Sequence, residues 1–301
     1  MDLNQFPEVA VIIPCRNVAG VVSRCLGGVL AQDYPPEKIR IIAIDDGSTD
    51  STATIIAGFG DRIKLLRHES NRGLAAARNS GIKATDAEFL AFLDSDMVVR
   101  PDWLKVLLPE FADSTVIGVI GDSQLPSEST TNRLDRYFYS NWRGARKTDA
   151  DRPIDFRYFL FHNTIVRRTA LVQAGLFDET ITTYGGEDTD LAIRLYRIYP
   201  RGLHYSSTAV AEHYHQRSVA EFCRAMENYG HDNLPRLLER YPEFKNELAG
   251  GWIDSIKGYL AFNCVVRLLV RSITAVMPLP VFIRYLVVES VIRGARQASR
   301  P

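Results

Sequence analysis

Two acidic residues separated by a serine follow an apolar segment in the first third of the chain. Asp94 and Asp96 stand at positions i and i+2 after residues 89–93, so at a strand end both side chains face the same side. Carboxylate oxygens in this arrangement suit Mg²⁺ or Mn²⁺, which retain water and commonly bridge phosphates. The pattern Asp94-Ser95-Asp96 therefore predicts a site for a divalent cation and a diphosphate, with a capped turn as the alternative.

A second acidic group, Asp45-Asp46-Gly47-Ser48, follows another apolar segment, residues 39–44. Asp, Gly and Ser are common turn residues, so one interpretation is purely structural. In the other, a carboxylate contacts the base or ribose of a nucleotide, and Gly47 permits a close approach of the backbone. The pattern by itself does not decide between the two.

A third acidic group follows two glycines, in the order Gly185-Gly186-Glu187-Asp188, and precedes an amphipathic helix predicted over residues 188–198. Acidic residues at this end stabilise the helix dipole by roughly 0.3–1 kcal/mol each, which is the structural explanation. A carboxylate held by a regular helix is also placed rigidly, as a general base must be. The group is therefore a candidate for proton abstraction.

Two histidines, His213 and His215, close a strand-like segment. A single histidine is most often structural, but a pair at i and i+2 can offer a neutral nitrogen to a metal. A zinc ion would need a third and a fourth ligand nearby, and none is evident in the sequence, although His204 stays open as a candidate.

The elements that must position these residues alternate between strands and helices. Apolar strand-like segments alternate with helical ones, in the order 9–14, 18–31, 39–44, 49–57, 64–67, 73–83 and 89–93. This alternation predicts βαβ units, and hence an α/β fold with a mainly parallel sheet flanked by helices. Ligands of such sheets bind beyond the carboxyl ends of the strands, where Asp46 and Asp94 stand.

The remainder of the chain is predicted to be richer in helix. We expect helices over residues 134–146 and 188–198 and a strand over residues 203–210. After His215 the pattern predicts helices alone, over residues 219–240, 253–276 and 280–296. The change of character places a boundary that divides the chain into residues 1–217 and a helical region, residues 218–301.

Composition excludes several classes of protein. The 301 residues are 46% hydrophobic and 24% charged, which is globular and argues against disorder. Because 36 basic residues balance 36 acidic ones, no nucleic-acid partner is predicted. Four scattered cysteines without a C-x-x-C pair argue against a zinc ribbon or a disulfide framework. We expect no signal peptide and no transmembrane span of ~18 residues.

Taken in order, these motifs resemble those of the family-2 glycosyltransferases, which are inverting, nucleotide-sugar-dependent enzymes with a GT-A fold. The resemblance covers residues 9–217, roughly. It is carried by Val11-Ile12-Ile13-Pro14 with Arg16-Asn17, Ile44-Asp45-Asp46-Gly47-Ser48, Asn71-Arg72-Gly73 with Ala77-Arg78-Asn79, Phe92-Leu93-Asp94-Ser95-Asp96, Phe177-Asp178-Glu179 and Glu187-Asp188-Thr189-Asp190-Leu191-Ala192-Ile193-Arg194-Leu195. Each motif is modest alone, but their order and spacing are specific.

For the donor, the resemblance implies a GT-A Rossmann-like domain that binds a nucleotide-diphosphate sugar, most commonly a UDP-sugar. The residues that it implies at the donor are Pro14, Arg16, Asp46, Arg78, Asp94, Ser95 and Asp96. Among them, Pro14 and Arg16 are expected to line the base pocket, and Asp46 to contact the base or the ribose.

For the chemistry, the resemblance implies an Mn²⁺ or Mg²⁺ ion held by Asp96, Asp94 and His213, and Asp188 as the general base. No Gln-x-x-Arg-Trp motif follows Asp188 and no multi-span channel is expected, which favours the addition of single sugars over processive synthesis. By position in the chain, Trp142 and Glu187 are predicted to contact the acceptor.

Two other functions compete with sugar transfer. A nucleotidyltransferase acting on sugar phosphates would normally have a glycine-rich phosphate loop with a lysine, and neither G-x-x-x-x-G-K-[ST] nor G-x-G-x-x-G is present. A GT-A-like binding protein without catalysis is the second alternative. A fold alone does not need Asp94, Asp96 and Asp188 together, which argues against it.

The C-terminal part of the chain is both basic and apolar. Residues 255–301 contain seven basic residues and one acidic residue. Basic amphipathic helices of this kind commonly lie at a membrane interface. We predict peripheral contact of residues 255–301 with the cytoplasmic face of a membrane, which suits a polyprenyl-linked or other glycan acceptor. The alternative is that these helices pack on the first region or on a second subunit of a homodimer.

Overall fold

The computed structural model of the protein describes residues 6–128, 132–141, 143–148, 153–215 and 217–299. Contacts between residues divide the chain into two compact units. The first comprises Met1–Ser127, Gly144–Thr182 and Glu187–His215, and the second comprises Glu128–Arg143, Thr183–Gly186 and Gln216–Pro301. The second unit therefore joins the C-terminal region to two short segments from within residues 1–217.

The first unit is built on one sheet, which has eight strands among the described residues. The strands are β1 (Val9–Cys15), β2 (Ile39–Asp46), β3 (Lys64–His68), β4 (Phe89–Leu93), β5 (Met97–Val99), β6 (Gly118–Gln124), β7 (Asn163–Arg167) and β8 (Leu203–His213). Their order across the sheet is β3-β2-β1-β4-β7-β6-β8-β5.

One half of this sheet is parallel and the other half is mixed. Strand β1 pairs in parallel with β2 and with β4, and β2 pairs in parallel with β3. Beyond β4 the direction changes, because β7 is antiparallel to both β4 and β6. The α/β fold is confirmed, and the parallel part holds the βαβ units that the sequence predicts. Since β1, β2 and β4 run the same way, their carboxyl ends meet at one edge of the sheet.

Helices cover the sheet because their apolar faces match its buried strands. The described residues form twelve α-helices: α1 (Val22–Leu30), α2 (Thr52–Ala57), α3 (Leu74–Lys83), α4 (Trp103–Leu107), α5 (Arg133–Phe138), α6 (Arg168–Ala174), α7 (Glu187–Ile198), α8 (Val219–Asp232), α9 (Leu234–Arg240), α10 (Ile256–Ala261), α11 (Cys264–Val276) and α12 (Pro280–Ala298). All seven residues of β1 are buried. Helix α3 packs closely on this strand, because Gly81 has no side chain to collide with Ile12.

The second unit contains α5 and α8 to α12, and a small apolar core holds it together. Leu134, Phe222, Ile283 and Val287 form this core. Helices α8 and α12 approach each other closely, because a Cβ at Gly230 or at Gly294 would collide with the opposite backbone. Within the described residues, no helix has both the length and the apolar character needed to cross a bilayer.

Three predicted helices are shorter than their sequence patterns suggested. The helix predicted over residues 134–146 ends at Phe138, and Gly144 has a left-handed φ of 66° that an α-helix does not accommodate. The helix predicted over residues 219–240 divides before Leu234, where Pro235 lacks the backbone N–H that a continuous helix requires. The helix predicted over residues 253–276 divides at Asn263, whose side chain caps α11.

Candidate active site

Arg78 of α3 lies at the centre of the candidate site, with 1% of the residue exposed. Its Nη1 donates to Oδ1 of Asp188 at 2.5 Å and lies 3.4 Å from Oε1 of Glu187. Its Nη2 donates to the carbonyl oxygen of Phe161 at 2.9 Å and lies 3.5 Å from Oδ1 of Asp94. One guanidinium thus connects the D-x-D motif to the start of α7.

Asp188 is fixed by two donors. Besides Arg78, the backbone N–H of Phe161 donates to Oδ2 of Asp188 at 3.1 Å. The side chain of Asp188 is 16% exposed, so it lies at the edge of the buried cluster and reaches solvent. Glu187 lies deeper, with 7% of its side chain exposed. Glu187 therefore lies behind Asp188 and contacts Arg78, and its contact with an acceptor stays a prediction.

Burial and charge shift the pKa values of this cluster. Burial raises the pKa of Glu187 to about 7, repulsion from Asp188 adds to the shift, and attraction to Arg78 opposes it. Burial likewise raises the pKa of Asp94 to about 6, although about a third of that side chain is exposed, and Arg78 again opposes the shift. The cluster holds more acid than Arg78 can neutralise, which favours the approach of a cation.

Asp96 and His213 come together through the sheet. Strand β8 extends beyond the predicted residues 203–210 as far as His213, which pairs with Met97 of β5. The backbone N–H of Tyr214 donates to the carbonyl of Asp96, and Nε2 of His213 lies 3.3 Å from Oδ2 of Asp96. The pairing of the two strands therefore brings this histidine to the D-x-D motif.

Asp96 and His213 suit a divalent cation as a pair. Two ligands of one octahedral ion at 2.0–2.1 Å lie about 3 Å apart, close to the observed 3.3 Å between Oδ2 and Nε2. Asp94 forms an ion pair with Arg78, and its role as a metal ligand stays a prediction. Within the described residues, no three His, Cys, Asp or Glu side chains converge as a complete ligand set. These two side chains could therefore supply two ligands of a coordination shell, and carboxylate oxygen is a donor that suits Mn²⁺.

The loops after β1 and β2 are tied to each other. Pro14 is buried in β1, and the exposed Arg16 is the first residue beyond the strand. The backbone N–H of Asn17 donates to Oγ of Ser48 at 3.0 Å, and Oδ1 of Asn17 accepts from the N–H of Thr49 at 2.8 Å. These bonds hold the loop that carries Arg16 beside the loop that follows Asp46.

Asp46 is buried and organises a neighbouring turn. Its Oδ1 accepts from the N–H of Arg72 at 2.8 Å, and its Oδ2 accepts from the N–H of Gly73 at 2.9 Å. Nδ1 of His68 lies 2.6 Å from Oδ1, and Nε2 of His68 lies 2.9 Å from Oγ of Ser80. Both carboxylate oxygens are therefore engaged within the protein, and a nucleotide contact of Asp46 stays a prediction.

The sequence pattern does not predict His68 as the partner of Asp46. The predicted strand ends at residue 67, and only the pairing of β3 with β2 brings His68 into register with Asp46. No role is predicted for Asn79, which joins α3 to the Phe177-Asp178-Glu179 motif. Nδ2 of Asn79 donates to the carbonyl of Phe177 at 2.9 Å and to Oε1 of Glu179 at 3.0 Å. Phe177 in turn places its ring 5.2 Å from the Arg78 guanidinium carbon.

Ser95 and Trp142 are two further site residues that the sequence predicts. Ser95 is buried between the two aspartates, with 7% of the residue exposed. Trp142, the predicted acceptor contact, lies outside the described residues.

The profile of one sequence family, "Glycosyl transferase family 2", matches residues 10–174. This match spans more than half of the 301 residues and includes Arg78, Asp94 and Asp96. The chain belongs to glycosyl transferase family 2. Asp188 and His213 lie beyond the matched residues, so the three-dimensional structure is what connects them to the family motifs.

Curated relatives of this family 2 chain carry names of sugar-transferring enzymes. It is 32% identical over 239 residues to the pre-mycofactocin glycosyltransferase of Mycobacterium tuberculosis, covering 78% of this chain and 48% of the relative. It is 26% identical over 217 residues to the validoxylamine A glucosyltransferase of Streptomyces hygroscopicus subsp. limoneus, covering 63% and 48%. The chain thus spans about half the length of these relatives.

Solved structures confirm the GT-A fold of this family 2 chain. The mannosyltransferase PcManGT of Pyrobaculum calidifontis, in complex with GDP-Man and Mn²⁺, matches with a TM-score of 0.65 at 18% identity, over 97% of this chain and 86% of that one. TarS 1-349 of S. aureus, in complex with UDP-GlcNAc, matches with a TM-score of 0.57 at 15% identity, over 97% and 90%.

Proposed function

We propose that this family 2 protein is an inverting glycosyltransferase that moves one sugar from a nucleotide-diphosphate sugar to an acceptor hydroxyl. The observation that carries the proposal is the position of Asp188. Its carboxylate is held by Arg78 and by the N–H of Phe161. The same guanidinium lies 3.5 Å from Oδ1 of Asp94 in the D-x-D motif. A rigid carboxylate beside a cation-attracting cluster is the arrangement that acceptor activation requires.

The donor is proposed to lie along the edge where β1, β2 and β4 end. Arg16 and the loop beyond Asp46 would bind the nucleoside, and Asp94-Ser95-Asp96 would face the diphosphate. The structural neighbours support this class of donor, since they were solved with GDP-Man and with UDP-GlcNAc. Among the nucleotides, we propose UDP.

Asp96 and His213 would hold an Mn²⁺ or Mg²⁺ ion, and Asp94 would add a further negative charge near it. When bound, such an ion neutralises the charge that develops on the departing diphosphate. The neighbour PcManGT was solved with Mn²⁺, which supports this assignment. Arg78 contacts both Asp94 and Asp188 and would hold the two carboxylates in position whether or not the ion is bound.

Transfer then needs a single displacement at the anomeric carbon. The acceptor oxygen forms a bond to this carbon while the bond from the carbon to the phosphate oxygen breaks, and the electron pair leaves with the nucleoside diphosphate. Asp188 accepts the acceptor proton. Because the nucleophile and the leaving group occupy opposite faces, the configuration at the anomeric carbon inverts.

Incubation with radiolabelled nucleotide sugars and Mn²⁺ tests the proposal. We expect release of a nucleoside diphosphate together with a labelled glycan or lipid-linked product. Transfer of the nucleotide moiety would instead identify a nucleotidyltransferase, and donor binding without turnover would identify a binding protein. A thermal-shift panel of UDP, GDP and dTDP with Mn²⁺ then identifies the nucleotide, because a ligand of the folded state raises its melting temperature.

We also propose that the second unit contacts the cytoplasmic face of a membrane, where a polyprenyl-linked acceptor is available. Large apolar side chains of α10 and α11 are between 59% and 88% exposed, namely Ile256, Leu260, Val265, Leu268, Leu269 and Val276. Sedimentation with vesicles containing anionic lipid tests this contact. We expect L268S/V276S to reduce binding and V172S, on the first unit and 56% exposed, to leave it unchanged; equal partition of the variants would contradict the proposal.

A further inference from the structure

A cavity of about 390 Å³ lies within the second unit, and none of the residues assigned to sugar transfer lines it. Helices α8, α11 and α12 form its walls, together with Arg133 at the start of α5. Its size falls in the range of small-molecule pockets, ~300–1,000 Å³. It is lined by five arginines, namely Arg133, Arg224, Arg267, Arg271 and Arg293.

Two glutamates line the same cavity and form ion pairs with two of the arginines. Glu289 is buried, with 3% of the residue exposed, and its Oε1 lies 3.0 Å from Nη1 of Arg267 and 3.6 Å from Nε of Arg293. Glu227 lies 2.9 Å from Nη2 of Arg293. These pairs hold Arg267 and Arg293 in fixed positions on the cavity wall.

The other three arginines form no ion pair within 4.0 Å in the described part of the chain, although the exposed Glu221 interacts electrostatically with Arg224. Nη2 of Arg133 donates to the carbonyl of Ala275 at 2.9 Å, while Arg224 and Arg271 are exposed and form no ion pair with the described residues. Five guanidinium groups against two carboxylates leave the cavity with an excess of positive charge. Like charges gathered without counter-charges repel one another, and a bound anion would relieve this repulsion.

We infer that this cavity binds the phosphate or diphosphate group of an amphiphile. A guanidinium donates two parallel hydrogen bonds to phosphate oxygens, which makes arginine the side chain best suited to this anion. The inference does not depend on the proposed sugar transfer, because it concerns residues of the second unit alone.

The apolar part of the ligand is indicated by α11. Arg267, Arg271 and Thr274 recur at i, i+4 and i+7 and line the cavity, so they share one face of this helix. The adjoining face carries Leu268, which is 59% exposed, and the apolar Val219, Ala275 and Leu286 line the cavity itself. A phosphate in the cavity therefore lies next to an apolar surface, which fits a lipid phosphate better than a free one.

Calorimetric titration of the full chain in EDTA tests this site, with farnesyl diphosphate and inorganic diphosphate as the two probes. We expect farnesyl diphosphate to bind about tenfold more tightly, because its chain buries apolar surface. The variant R224E/R271E should weaken the binding of both probes by about tenfold or more, since it removes charge-assisted hydrogen bonds. The milder R271Q should weaken both in the same direction.

The matched control is K257E/R284E, which makes the same change of charge at two exposed residues of the second unit that do not line the cavity. We expect it to leave both affinities unchanged. Equal weakening by the control, or no weakening by R224E/R271E and R271Q, would overturn the site. Equal affinity for the two probes would overturn the assignment to an amphiphile.

Discussion

Arg78 and Asp188 are 110 residues apart in the chain, yet Nη1 of Arg78 donates to Oδ1 of Asp188 at 2.5 Å. Arg78 is carried by α3, which packs on the parallel half of the sheet, and Asp188 stands in the first turn of α7. The same guanidinium also reaches Asp94 and Glu187. This one buried side chain thus links the proposed base to the proposed donor site.

Asp188→Asn should remove most of the turnover and retain donor binding. The amide is similar in shape but cannot accept the acceptor proton, and general-base catalysis typically contributes about 10²–10⁴-fold. Single-turnover sugar transfer and a nucleotide titration measure the two effects separately. Asp61→Asn, at an exposed position of the same unit, is the matched control; transfer by Asp188→Asn at the rate of this control would refute the role of Asp188.

Arg78→Ala should destabilise the protein by about 3–5 kcal/mol, because it leaves buried carboxylates without their partner. Arg78→Lys retains the charge but loses the planar fork, so we expect an intermediate loss. Urea unfolding measures both variants. Arg72→Ala removes an exposed ion pair with Glu179 and should cost no more than about 1 kcal/mol. Similar losses in Arg78→Ala and Arg72→Ala would contradict the central position of Arg78.

Stability should fall as the pH rises through neutrality when no cation is present. The pKa of Glu187 is about 7 in the folded protein and 4.5 ordinarily, so the folded state holds this proton more tightly than the unfolded state does. The contribution of Glu187 is therefore fully favourable below about pH 4.5 and is lost as the pH rises through about 7. Asp94, with its pKa raised to about 6, acts in the same direction.

Glu187→Gln should reduce this loss of stability, and urea unfolding in EDTA between about pH 5 and pH 8 measures it. Glu179→Gln is the control with the opposite sign, because a hydrogen bond from Asn79 lowers the pKa of Glu179. Its contribution is present above the ordinary pKa and is lost only as the pH falls below that value. Parallel stability curves for wild type and Glu187→Gln across this range would show that Glu187 is not the titrating group.

Removal of divalent cations with EDTA should abolish sugar transfer, and added Mn²⁺ should restore it. Because Asp96 and His213 are the proposed ligands, Asp96→Asn and His213→Gln should raise the Mn²⁺ concentration needed for half-maximal activity by about tenfold or more. His204→Gln changes a histidine of the same strand that lies 4.0 Å from Glu110 and should not alter this concentration. Full activity in EDTA would exclude the role of the cation.

Gly47→Ala should destabilise the protein by about 2 kcal/mol or more, since left-handed backbone and steric conflict both add strain. Gly47 has a φ of 68°, and a Cβ there would lie 2.5 Å from the carbonyl carbon of Ser70 and 2.6 Å from the nitrogen of Asn71. Gly20→Ala is the matched control, because nothing lies within 4 Å of its Cβ. Thermal unfolding compares the two; equal melting temperatures would show that the loop beyond Asp46 readily adapts.

Sequence periodicity was sufficient for the strands and helices around the parallel half of the sheet. Strand β1 is buried along its whole length, and a continuous run of apolar residues is the pattern expected of such a fully buried strand. Helix boundaries in the second unit were less predictable. The sequence predicts one continuous helix over residues 219–240, and the break before Leu234 coincides with the single residue Pro235.

By itself, the sequence determined the α/β class, the family resemblance, the position of two acidic motifs at the ends of apolar strands and the position of the third at the start of a helix. Tertiary structure alone decided which of these groups meet. The contacts of Arg78 with Asp188 and of Asp96 with His213 join residues that are distant in the chain, through the packing of α3 and the pairing of β5 with β8. Local propensity carries no information on such contacts, because they form only when separate elements are packed together.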